Sequence, residues 1–202
     1  MNPVTETRLD KEWINTLDPI QFDGDIQVIS DRRTIDRVVR HLMQHRELGF
    51  DTETRPAFRK GIRHPVALLQ LATRDTAYLF QLMRTGLPPS LVQLLESHKI
   101  RKLGIGIRDD IIKLQERAPF QAGGFTDLSE LAHEKGIVQV GARALVARYL
   151  RRRLTKSAQR SNWATPELSD RQLQYAATDA WICLKLYPLL LADHRVYPPE
   201  EA

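Results

Sequence analysis

Residues 66–82 read Val66-Ala67-Leu68-Leu69-Gln70-Leu71-Ala72-Thr73-Arg74-Asp75-Thr76-Ala77-Tyr78-Leu79-Phe80-Gln81-Leu82. Two apolar runs, Val66–Thr73 and Thr76–Leu82, flank the dipeptide Arg74-Asp75, the pattern of two strands joined by a tight hairpin. Upstream, Glu47–Thr52 is a third strand-like run. Further upstream, Ile26-Gln27-Val28-Ile29 alternates like a short strand, and Ser30-Asp31 offers a helix cap. Ile35, Val38, Val39, Leu42 and Met43 then recur at helical spacing, so 32–45 reads as an amphipathic helix. Downstream of the hairpin, a helix over Ser90–His98 sets Leu91, Leu94 and Leu95 on one face. It leads into Lys102–Ile107, a buried strand of alternating glycine and aliphatic residues. From Asp109 the period is helical, with helices at 109–117, 127–135, 142–150 and 170–190; Ser169 and Gln172 form a capping box for the last. This order predicts a single-domain α/β fold: a mixed β-sheet flanked by α-helices, antiparallel at the hairpin and parallel across the intervening helix. A dinucleotide-binding fold would alternate more regularly and open a helix on a glycine-rich turn. Gly104 and Gly106 instead fall within a strand, where a missing side chain permits close backbone packing.

The 202 residues suit one domain, and 42% hydrophobic content supplies a core. No window approaches a membrane-spanning run, and Met1-Asn2-Pro3-Val4-Thr5-Glu6-Thr7 lacks the charged-then-apolar order of a signal peptide. The single cysteine, Cys183, excludes an internal disulfide and a cysteine-built zinc site. These features predict a soluble, cytoplasmic protein with no membrane partner. Residues 1–25 are polar and aperiodic, an expected N-terminal extension wrapping a domain that spans 26–192, with a tail at 193–202. The formal charge of +5 is mild, but Arg148, Arg151, Arg152, Arg153, Lys156 and Arg160 form a run without an acid. Such a run is either a solvated helix end and loop or a patch that tracks phosphates.

Three segments bring carboxylates to the ends of buried elements. In Phe50-Asp51-Thr52-Glu53 the acids stand at i and i+2 of a strand, on one face. They repel each other there unless a cation lies between them; the plainer alternative is a pair of solvated acids. Asp109-Asp110 follows the strand Lys102–Ile107, where acids commonly cap the next helix, leaving one free to face a site. In Tyr175-Ala176-Ala177-Thr178-Asp179 the tyrosine and the acid share a helix face, and the small residues around them allow that face to pack on the sheet. A carboxylate buried there needs a hydrogen bond, a cation or a metal. Taken together, an oxygen-rich cluster suits Mg²⁺ or Mn²⁺. Two such ions roughly 3.5–4 Å apart clamp the attacking and leaving oxygens of a phosphodiester, and a nearby tyrosine hydroxyl can orient the attacking water.

These residues resemble the DEDD superfamily of 3′→5′ exonucleases, in its tyrosine-bearing branch, which includes ribonuclease D, proofreading domains of some DNA polymerases and the Werner syndrome exonuclease domain. Phe50-Asp51-Thr52-Glu53 is similar to the first motif and Val66–Leu71 to the strand after it. Leu103–Asp110 is similar to the second motif, with Asp110 rather than Asp109 as its acid. Ser161-Asn162-Trp163 resembles a segment ahead of the third motif, which is similar to Leu173–Asp179. Gln174 stands where the histidine branch carries its histidine. The resemblance covers about residues 26–190 and implies a ribonuclease H-like fold. It implies that Asp51, Glu53 and Asp179 hold the metal that carries the nucleophilic water, that Asp51 also touches a second metal, and that Asp110 acts nearby through water. Tyr175 would position the attacking water, and Thr52 would touch nucleic acid. The partner implied is a nucleic acid with a free 3′ end. Ile112 departs from the Werner-type pattern, which has a tryptophan there. Neither a helicase segment nor an appended RNA-binding domain follows, so a free-standing nuclease, or one relying on a partner for processivity, is expected.

For gripping the strand, Arg151, Arg152, Arg153, Lys156 and Arg160 are the first candidates. Lys60, Arg63 and His64, in the loop after the first motif, are the second. Trp163 either stacks on a base or anchors the core. Rival readings are a non-catalytic nucleic-acid-binding module, a two-metal hydrolase of small phosphate esters, and a structural domain whose acids are caps and surface pairs. No residue pattern separates DNA from RNA, since 2′-hydroxyl contacts leave no local signature.

Overall fold

A computed structural model describes residues 8–57, 61, 63–155 and 158–192. Its strands are β1 (Asp25–Ile29), β2 (Glu47–Thr54), β3 (Val66–Ala72), β4 (Thr76–Gln81), β5 (Arg101–Gly104) and β6 (Phe125–Asp127). Its helices are α1 (Lys11–Thr16), α2 (Arg32–Leu42), α3 (Leu82–Thr85), α4 (Pro89–Glu96), α5 (Arg108–Gln115), α6 (Leu128–Glu134), α7 (Ala142–Leu150) and α8 (Asp170–Leu191). The sheet order is β1-β4-β3-β2-β5-β6. The pairs β3–β4 and β2–β3 are antiparallel, while β1–β4, β2–β5 and β5–β6 are parallel. The hairpin and the parallel crossover are therefore as the sequence predicts.

Strand alternation sorts the side chains into two unlike layers. Leu48, Phe50, Leu69, Leu71, Tyr78 and Phe80 face α2, α4 and α5 in a core of large apolar groups. Asp31 caps α2 by accepting the Thr34 amide at 3.0 Å, and Ile35, Val38, Val39 and Leu42 are its buried stripe. The other sheet face receives α6, α7 and α8, with Ala72, Ala77, Ala177 and Ala180 at the contact. Helix α8 opens on the expected capping box of Ser169 and Gln172. Gly49 makes the approach of α8 possible: a Cβ there would lie 2.0 Å from the Ala180 carbonyl oxygen. Among the described residues, no helix is long and apolar enough to cross a membrane.

Three local expectations need correction. The strand expected over Lys102–Ile107 ends at Gly104, and Gly106 lies outside it at φ +72°, a conformation open to glycine. The helix expected from 127 begins one residue later, because Phe125–Asp127 joins the sheet as β6. Neither Asp109 nor Asp110 caps α5. Among the described residues no side chain caps α5. The Asp127 carboxylate accepts the Gly106 and Ile107 amides in the turn before it, at 2.8 and 2.9 Å, and caps α6 by accepting the Ser129 amide. Lys102 is fully buried, and its ammonium donates to the Leu94, Ser97 and Ile100 carbonyls at the end of α4.

Candidate active site

The acids of β2 point toward α8 because Asp51 and Glu53 share the strand face of Gly49. The contact between Gly49 and Ala180 brings the preceding residue of α8, Asp179, to the same place. One carboxylate oxygen from each of Asp51, Glu53 and Asp179 lies within 4.8 Å of the other two. Asp110 arrives from the first turn of α5 and is held by the Thr52 hydroxyl, which donates to Asp110 Oδ1 at 2.7 Å. Thr52 is buried and occupies the opposite strand face from Asp51 and Glu53. It joins the fourth acid to the first three.

Tyr175 lies one helical turn before Asp179, and its hydroxyl hydrogen-bonds the Asp179 carboxylate. A cleft of about 280 Å³ opens over the cluster, lined by Thr52, Ile105, Ala142, Gln159 and Cys183 besides Asp51, Glu53, Asp179 and Tyr175. Trp163 does not face this cleft. It is buried in the core beneath α8, its ring 5.9 Å from that of Tyr175, so it anchors the tyrosine from behind.

The electrostatics of the cluster are those of a site compatible with a bound cation. Burial raises the Asp51 carboxyl well above the usual range, and the charges of Asp179 and Asp110 raise it further. Glu53 is pushed up to about 10 by burial and then by Asp51, Asp179 and Asp110. Burial lifts Asp179 to about 7 against the hydrogen bond from Tyr175. Asp110 is raised by burial, with Thr52 and Lys113 opposing. The Tyr175 phenol is raised by burial and by Asp179, which keeps it protonated. Carboxylates crowded in this way ionise together only when a positive charge enters. An all-oxygen donor set fits a hard divalent cation.

Two features of this site had no local signal. Gln70 stands directly opposite Asp51 in the β2–β3 register, on the same sheet face. It is fully buried, and neither amide atom has a hydrogen-bond partner among the described residues. Ile105 and Ala142 line the cleft from separate elements that only the fold unites.

The basic run divides. Arg148 is buried in α7. Arg151 lies 5.3 Å from the Trp13 ring, and Arg153 donates from Nε to the Leu17 carbonyl at 2.7 Å. Arg152 is exposed, 3.6 Å from Asp18. Arg160 is exposed, next in sequence to the cleft residue Gln159, and Lys156 lies outside the described residues. Arg151 and Arg153 of the run thus also hold the N-terminal segment, while Arg152 and Arg160 are exposed. Arg63 and His64 line a separate groove of about 450 Å³ with Arg55, Ile112 and Lys113. Lys60 lies outside the described residues.

A mixed six-stranded sheet with helices on both faces and acids at its strand ends is the ribonuclease H-like arrangement. The Aedes aegypti Nibbler EXO domain superposes with a TM-score of 0.75 at 25% identity, covering 92% of this chain and 90% of that one. An Arabidopsis thaliana protein named 3′-5′ exonuclease is 37% identical over 150 residues, 71% of this chain and 52% of that protein. The Mus musculus bifunctional 3′-5′ exonuclease/ATP-dependent helicase WRN is 35% identical over 149 residues, 71% of this chain and 11% of that protein. The chain thus spans about half the length of the first relative and far less of the second. A family model described as 3′-5′ exonuclease matches residues 26–193, and the chain belongs to that family.

Proposed function

We propose that the protein hydrolyses phosphodiester bonds one at a time from the 3′ end of a DNA or RNA strand, releasing nucleoside 5′-monophosphates. The observation that carries this reading is the convergence of Asp51, Glu53 and Asp179 within 4.8 Å, with Asp110 tethered beside them by Thr52. Asp51, Glu53 and Asp179 would hold the divalent ions, Mg²⁺ or Mn²⁺, two per site, with Asp110 completing the set. When bound, such ions stabilise charge on the scissile phosphate and make water a stronger nucleophile at neutral pH. The chain's own part is positional. Tyr175, held protonated beside Asp179, offers a hydroxyl that orients the incoming water in line with the leaving 3′-oxygen. Ile105 and Ala142 give the cleft an apolar wall against which the terminal nucleoside can rest.

Strand binding falls to cations that remain accessible. Arg63 and Lys113 line the groove beside α5, with Arg55 at its edge. Arg152 and Arg160 are also exposed, Arg160 next in sequence to the cleft residue Gln159. Digestion of 5′-labelled DNA and RNA, single-stranded and 3′-recessed, tests the reading. A ladder shortening from the 3′ end, dependent on Mg²⁺ or Mn²⁺ and abolished by chelator and by Asp51→Asn, is the expected result. Cleavage that persists with chelator, or in Asp51→Asn, would overturn it.

A further inference from the structure

We propose that the segment 8–22, which lies before the family match, is a positioning part of the active site: the backbone of Phe22 fixes Tyr175 and Asp179 through Gln174 and Thr178. This rests on the role given to Tyr175 and Asp179 above. The Phe22 amide donates to Thr178 Oγ1 at 3.1 Å, inside the protein. The Gln174 side-chain amide donates to the Phe22 carbonyl. Thr178 Oγ1 in turn donates to the Gln174 carbonyl at 2.6 Å, closing a small ring of hydrogen bonds. Gln174 and Thr178 have the same four-residue spacing as Tyr175 and Asp179, displaced by one residue. On a helix that displacement is about 100° of rotation. The segment therefore grips the flank of the helical turn whose adjoining face carries the site.

A grip positions only if its other end is fixed, and this one is. Leu9 exchanges hydrogen bonds with the Gln139 side chain through both its amide and its carbonyl. Leu9 and Ile14 are buried against Ala147 of α7. Arg143 donates to Asn15, and Arg153 donates to the Leu17 carbonyl. Backbone bonds from Ile20 to Arg153 and from Arg153 to Asp18 make a short parallel bridge at Pro19. The Phe22 ring is buried with its centroid 5.5 Å from Trp181. A small cavity of about 50 Å³ lies beside Tyr175 and Asp179, between them and Gln21, Leu154, Gln174 and Thr178. The Phe22 ring packs on this helix, and the hydrogen bonds that the Phe22 backbone makes with Gln174 and Thr178 fix its flank beside the cavity.

The test is Thr178→Val, which keeps the shape and deletes the acceptor of the Phe22 amide, with Thr178→Ser as the conservative partner. In the full chain, Thr178→Val is expected to lower kcat about tenfold, with KM little changed, because the reacting groups lose their alignment. Calorimetry should show Mn²⁺ binding weakened about fivefold, since a displaced Asp179 is a poorer ligand. Thr178→Ser should restore both values to within about twofold of wild type. A merely structural hydroxyl would lower the thermal midpoint of Thr178→Val and leave kcat, measured well below that midpoint, and Mn²⁺ affinity where they were; that outcome overturns the proposal. If Thr178→Val does not fold, Gln174→Leu carries the same readouts on a half-buried side chain. Absence of wild-type cleavage would sink the nuclease reading itself, whereas wild-type cleavage with unaltered variants sinks only the role of Phe22.

Discussion

Replacing Gly49 with alanine probes the contact on which the acidic cluster depends. The added Cβ would stand 2.0 Å from the Ala180 carbonyl oxygen and 2.7 Å from its carbon, where ordinary contact begins near 3.4 Å. Both neighbours are backbone, so no rotamer change relieves the clash. Either β2 or α8 must retreat by roughly 1 Å, and overpacking of this kind costs about 1–3 kcal/mol. Asp179 precedes Ala180 and moves with it, away from Asp51 and Glu53. A displacement of roughly 1 Å at reacting groups can cost about a hundredfold in rate. Gly49→Ala is therefore expected to lose about 2 kcal/mol in urea unfolding and one to two orders of magnitude in single-turnover cleavage of a 5′-labelled oligonucleotide, on the order of what misplacement predicts. A variant as stable as wild type, or one cleaving within twofold, would refute the claim that this glycine sets the distance between strand and helix.

Asp51→Asn should abolish cleavage yet raise the thermal midpoint of the metal-free protein at pH 8, because it removes a carboxyl that burial, and then Asp179 and Asp110, make costly to ionise; a lowered midpoint would contradict the electrostatic reading. The pH dependence follows the same sign. Asp179 and Glu53 have folded values of about 7 and about 10, above the ordinary values of 3.8 and 4.5, so the folded state holds protons that the unfolded state has released. In chelator, stability should fall as pH rises from about 4 to about 7 on account of Asp179 and on toward 10 on account of Glu53, and Mn²⁺ should flatten the fall; thermal melts across that range decide it. Gln70→Leu replaces two buried amide atoms that lack partners among the described residues and should raise stability by about 1–3 kcal/mol in urea unfolding; destabilisation would mean the amide has work to do beside Asp51. Arg153→Ala should cost about 1–2 kcal/mol through its lost hydrogen bond to Leu17 and leave the salt dependence of substrate binding unchanged. Arg63→Ala should flatten that salt slope; the reverse pattern in fluorescence titrations would return the strand to the arginine run.

What the sequence made legible was local. The spacing of Asp51 and Glu53 on a strand, and of Tyr175 and Asp179 on a helix, fixes each pair to one face whatever the rest of the chain does. The hairpin at Arg74-Asp75 and the cap at Asp31 are equally short-range. The misreadings arose where distant partners decide. Ile105 and Ile107 continue an alternating pattern after the chain has left the sheet at Gly104. Strand β6 is three residues long and is stabilised by pairing with β5, so it has no period to detect. Nor does the run at 148–160 show that Arg151 and Arg153 meet Trp13 and Leu17, residues far away in sequence. A count of charges does not say which surface faces solvent.

The two faces of one sheet explain why a stable fold can hold an unstable cluster. Each strand of the β4–β3–β2 region turns large residues, such as Leu48, Phe50, Leu71 and Phe80, toward α2, α4 and α5. It turns Gly49, Asp51, Ala72 and Ala77 toward α8. Burial of the large set supplies most of the apolar stabilisation, at roughly 25 cal/mol per Å². The small set gives up part of that gain to let the α8 backbone touch the strand. Only such contact brings a helix carboxylate within 4.8 Å of two strand carboxylates. Bulkier side chains between α8 and β2 would improve the packing and push Asp179 away from Asp51, so close packing of small residues on this face belongs to the site as much as the acids do.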